Sequence, residues 1–123
     1  MFDFNFVLLH VTDPLESARF YSDLLGLKVV EAEATFAMAP LNEKVLLGWW
    51  LAGAADPEGR GTPGASEISF DVADLAALEA LHADWKARDI EIHVPPLEMP
   101  FGHTFVAADP DGHRIRIVAS KQG

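Results

Sequence analysis

The 123-residue chain contains no cysteine. That removes disulfides, thiolate metal ligands and a cysteine nucleophile together. No apolar run approaches the roughly 20 residues needed to span a bilayer. The opening MFDFNF carries neither a basic cluster nor a small-residue cleavage site. A membrane is therefore not an expected partner, and a cytoplasmic location is the expectation. Positive charge is scarce: nine Lys and Arg stand against 19 Asp and Glu, for a net charge of −10. Such a surface repels phosphate backbones and no basic stripe relieves it, so nucleic acid is not expected as a partner either. No two histidines share a helix face at ligand spacing. No glycine-rich loop for phosphate follows a strand, and no Ser-His-acid order marks a nucleophile.

What the chain does have is a pattern stated twice. Residues 5–12 are apolar and β-branched, as a strand requires. Asp13-Pro14 then supplies a helix cap and a first helical residue, and apolar positions follow at Leu15, Ala18, Phe20, Tyr21, Leu24 and Leu25 before Gly26 stops the helix. Strand-like stretches over 27–31, 34–39 and 44–51 complete a first module, with a turn at 40–43. Residues 52–65 are rich in Gly, Pro and Ala without hydrophobic period and read as a linker. The opening pattern then returns: a strand over 66–72, a helix capped by Asp74 with Leu75, Leu78, Leu81 and Trp85 on its apolar face, and strands over 90–94, 102–108 and 114–119. Pro95-Pro96 reads as a turn after the first of these. The expectation is an α+β chain of two βαβββ modules, 1–51 and 66–123, forming one domain over 1–123. Each module has a bare sheet face to bury, which suggests two curved mixed sheets around a shared cavity.

Two stretches carry a resemblance. VTDPLESARFYSDLLGL (11–27) and FGHTFVAADPDGHRIRI (101–117) resemble the strand-to-helix opening and the closing hairpin of the glyoxalase/bleomycin-resistance/dioxygenase superfamily, also called the vicinal oxygen chelate superfamily. With the repeat, the likeness spans essentially the whole chain. Enzymes of that family hold a divalent metal with a His at the start of the first strand, a His or Glu at the start of the fifth and a Glu in the last. The resemblance places those positions at Phe6, Glu67 and Arg116. One carboxylate facing a permanent cation is not a divalent metal site. Neither a metal nor another cofactor is expected, and metal-dependent catalysis is disfavoured.

Alternation puts Phe6, Leu8 and His10 on one face of the first strand, and the resemblance makes that face line the cavity. With Phe36 and one of Trp49 and Trp50 they form an aromatic-walled slot, and the resemblance to antibiotic-binding members favours Trp50. Such a slot suits a flat aromatic ligand. His10 is either a half-buried histidine satisfied by a neighbour or a donor to the ligand. Glu67 and Arg116 either pair with one another or present the guanidinium fork to a ligand carboxylate or carbonyl, and both can hold. His103 falls near the cavity mouth by the same resemblance, whereas His82, His93 and His113 read as surface residues. The expected function is sequestration of a small planar aromatic molecule, as in metal-free phenazine- and bleomycin-resistance members, by a homodimer. Cationic glycopeptides stay open as a ligand class. The alternatives are an enzyme without metal that uses Glu67 or Asp71 with His10 for acid–base chemistry, and a degenerate structural or regulatory module that binds nothing.

Overall fold

The computed structural model describes residues 2–54 and 61–121. Residues 55–60, the middle of the expected linker, lie outside this part. The chain divides into two compact units, Met1–Ala65 and Ser66–Gly123. Each is a βαβββ module, and the α+β expectation holds.

In the first unit β1 (Phe6–Val11) runs into α1 (Pro14–Leu25), followed by β2 (Glu31–Ala32), β3 (Phe36–Pro40) and β4 (Leu46–Leu51). Asp13 caps α1, its carboxylate accepting from the amides of Leu15 and Glu16, and Gly26 ends it in the left-handed region at φ 70°. The sheet order is β1-β4-β3-β2, with β1 parallel to β4 and the other pairs antiparallel. One face packs on α1: Leu9, Val11, Ala37, Ala39, Leu47 and Trp49 are buried, as are Ala18, Tyr21 and Leu24 of the helix. The Tyr21 and Trp49 rings lie 5.4 Å apart at their centroids. Burying such side chains contributes about 1.5–3 kcal/mol each, which fixes the register of β4 and so the direction of its other side chains.

The second unit repeats the plan. β5 (Glu67–Asp71) leads to α2 (Leu75–Ala87), then β6 (Ile92–Met99), β7 (Gly102–Ala108) and β8 (Arg114–Ser120), in the sheet order β5-β8-β7-β6. Phe105, Ala107, Ile115 and Ile117 are buried on the α2 side with Leu78 and Trp85. The Trp85 ring meets Phe105 edge-on at 5.5 Å.

Two local expectations fail. The strand expected over 27–31 shrinks to Glu31–Ala32. Pro95-Pro96 is not a turn: both lie within β6, where the pairing with β7 shifts register between Val94 and Leu97. Proline cannot donate to a ladder, but β6 is an edge strand, and there a bulge accommodates the missing amides.

Candidate functional site

The face of the first sheet turned away from α1 carries Phe6, Leu8 and His10 from β1, Gly48 and Trp50 from β4, and Phe36 and Met38 from β3. Phe6, Leu8, Phe36 and Trp50 line a pocket of about 470 Å³. Phe36 meets Trp50 edge-on with centroids 5.7 Å apart, and Phe6 lies 6.5 Å from Phe36 at an interplanar angle of 29°. The floor depends on Gly48: a Cβ there would fall 2.7 Å from Phe6 Cε1 and 2.9 Å from Leu8 Cδ1. A side chain at that position would therefore displace both walls. Trp49 points the other way and is fully buried against Tyr21, so the adjacent tryptophans divide between core and pocket. Another hollow, about 390 Å³, lies beside the β3–β4 turn against Phe4, Asn42, Glu43, Lys44 and Val45. Asn42 there is occupied in holding the turn, accepting from the amides of Lys44 and Val45 at 2.9 Å.

His10 lies beyond Leu8 on the pocket side of β1, paired in register with Trp50. Its imidazole ring fills the space that a Cβ on Gly61 would occupy.

On the second sheet, the face turned away from α2 carries charge. Glu67 of β5 receives a hydrogen bond from Arg116 Nε at 2.8 Å and an ion pair from Arg114 Nε at 3.3 Å, one guanidinium to each carboxylate oxygen. Arg116 Nη1 also donates to Thr104 Oγ1 at 3.3 Å, and that hydroxyl donates to the Ile117 carbonyl at 2.8 Å. The Arg116 hydrogen bond holds the Glu67 carboxyl below the usual carboxylate range, assisted by the charges of Arg116 and Arg114 and opposed by partial desolvation. Two guanidinium groups share one carboxylate here, and Asp71, two positions beyond Ser69 on β5, adds a second acidic group to the same face. Arg114 as a second partner was not anticipated from sequence, although its spacing from Arg116 on β8 carries the signal.

His103 does not belong with these groups. It follows the α2-side alternation of Phe105 and Ala107, opposite to Thr104 and Val106, which pair with Val118 and Arg116. A strict period of two along β7 therefore removes it from the expected site. His113 is not a surface residue: it is 3% exposed, and its Nδ1 meets the Ser66 hydroxyl at 2.6 Å and accepts from the Ser66 amide at 3.2 Å. His82 is half-buried with its ring 5.3 Å from Phe105, while His93 is exposed and bonds Glu91 at 2.8 Å.

The divalent metal of the family's enzymes does not fit the three corresponding residues. Phe6 sits among the apolar pocket walls and offers no donor atom. Arg116 is a permanent cation, and the Glu67 carboxylate is already held by two guanidinium groups.

Paired βαβββ modules, each with its helix on one face of a four-stranded sheet, define a glyoxalase-type fold. The chain belongs to the Glyoxalase/Bleomycin resistance protein/Dioxygenase superfamily, which it matches over residues 3–117. It is similar to the phenazine antibiotic resistance protein EhpR of Enterobacter agglomerans, with 28% identity over 116 residues, covering 92% of this chain and 88% of that protein. Among solved structures it resembles protein ATC0852 of Agrobacterium tumefaciens, at 37% identity and TM-score 0.81 over 98% of each chain. A lactoylglutathione lyase from Agrobacterium tumefaciens, at 18% identity and TM-score 0.79 over 98% of this chain and 95% of that one, shares the fold.

Proposed function

We propose that this protein binds a small planar aromatic molecule in the Phe6–Leu8–Phe36–Trp50 slot, sequestering it as a drug-resistance protein does. The observation that carries the reading is the slot itself: a concave pocket whose four lining side chains are all apolar and three of them aromatic. Ligand sites are commonly of this kind, with a few polar groups nearby to fix orientation. The similarity to a phenazine antibiotic resistance protein supports the same class of ligand. His10, on the slot's own sheet face, is a proposed polar donor to the ligand, and Arg116, with Glu67 orienting its fork, is separately proposed as a group for a ligand carboxylate or carbonyl. No metal or other cofactor takes part, and the protein works in the cytoplasm as a homodimer. Enzymatic acid–base use of Glu67 is the weaker reading, because a carboxylate held ionised by two guanidinium groups is a poor base near neutral pH.

The test is a panel of planar aromatics (phenazine, acridine and their carboxylic acids) titrated against wild type, Trp50→Ala, Arg116→Met and the double variant. Trp50→Ala should weaken binding by about 1–3 kcal/mol, as for other stacked aromatic contacts. A double-mutant cycle shows whether one ligand uses both residues. Equal affinities of wild type and Trp50→Ala across the panel would remove the slot as the site.

A further inference from the structure

We infer that Gly61 is a specificity-determining position: its missing side chain fixes the rotamer of His10, which shares the slot's sheet face beside Leu8 and Trp50, and so sets the size of aromatic ligand the slot admits. The inference rests on the reading of the slot as the ligand site. A Cβ at Gly61 would overlap His10 Cγ and Cδ2 and lie 2.8 Å from Nε2. Overlap with Cγ is decisive. Rotation about χ2 leaves Cγ in place, so clearing the contact takes a change of His10 χ1, which is limited to a few staggered wells, or a shift of the Gly61 backbone.

His10 shares its sheet face with Phe6 and Leu8 and lies across from Trp50 in the β1–β4 register. A ring driven out of its present well therefore sweeps along a face shared with two slot walls, Leu8 and Trp50. Larger residues at position 61 would shorten or skew the slot without touching the ligand. Gly48 controls the floor by the same absence of a Cβ, so two glycines, one on β4 and one outside the strands, set two dimensions of one pocket.

Four proteins test this: wild type, Gly61→Ala, His10→Ala and the double variant, each measured for thermal midpoint and for affinity towards anilinonaphthalene sulfonate. Trp50→Ala shows whether that probe occupies the slot. Gly61→Ala should lower the midpoint and change probe affinity about fivefold or more in the presence of His10, but less than about twofold once His10 is Ala. Failure of His10→Ala to relieve the loss in midpoint overturns the contact. Relief of the midpoint with probe affinity insensitive to position 61 overturns the specificity role alone. If wild type does not bind the probe, or binds it no better than Trp50→Ala, the slot reading falls and the specificity role falls with it. Thermal coupling between positions 61 and 10 distinguishes that failure from loss of the contact.

Discussion

The two modules share strand order, helix placement and cap, yet their helix-free faces differ in chemistry. The first offers Phe6, Leu8, Phe36 and Trp50, an apolar slot with a glycine floor. The second offers Glu67, Arg114, Arg116 and Thr104, a hydrogen-bonded charged cluster. The helix-side faces hardly differ in kind, both being close-packed around one tryptophan, Trp49 or Trp85. Topology thus dictates the helix side of each sheet and leaves the other side free. The pocket of the first sheet and the charged cluster of the second both lie at alternate positions on that other side.

The largest expected effect tests that division within one dipeptide. Trp49→Ala should destabilise the protein by about 3–5 kcal/mol, as large-to-small core substitutions do. Trp50→Ala should cost less than about 1.5 kcal/mol in urea unfolding, because its ring is half-buried and packs on no helix. Comparable losses for both would mean that the pocket face is also structural.

A smaller effect is expected at the charged cluster. The Glu67 carboxyl is held below its ordinary value of 4.5 in the folded protein, so its contribution to stability is present above that value and lost as the pH falls through the folded pKa. The Glu67 side chain is 36% exposed, and solvent screening keeps this contribution below about 1 kcal/mol. Melting curves from about pH 6 to about pH 3 should fall more steeply for wild type than for Arg116→Met. Parallel curves would show that the pair has no energetic weight. The smallest effect belongs to Ser69→Ala, an exposed β5 position between Glu67 and Asp71, which should change stability by no more than about 0.5 kcal/mol. A larger loss would show that the second face is less free than the first.

Local chemistry made much of this legible from sequence. Asp13-Pro14 and Asp74 mark helix starts because a cap needs only its own neighbours, and alternation in β1 and β8 places Phe6 with Leu8 and Arg114 with Arg116. The pairing of Glu67 with Arg116 was legible through the repeat and the family resemblance. What stayed hidden was non-local. Pro95-Pro96 carries the signal of a turn, and only the edge position of β6 lets it remain in a strand. His113 follows a hairpin turn and looks exposed until Ser66, far away in sequence, closes on its ring. The family resemblance points His103 to the cavity mouth, whereas counting from Phe105 puts it on the α2 side. The contact between Gly61 and His10 joins the end of a glycine-rich segment to the first strand, and no periodicity announces it.

The two prolines of β6 have a further consequence, for the behaviour of the protein at high concentration. The outer border of the second sheet is β6. A border strand with free amides is a template on which another chain can add, and repeated addition leads to aggregates. Pro95 and Pro96 interrupt that template with two consecutive residues that have no amide hydrogen, at the point where the strand also bends out of register. An incoming strand would lose hydrogen bonds and meet a kinked surface at the same place. The dipeptide that disguises β6 in the sequence thus also guards this border against strand addition during folding and storage.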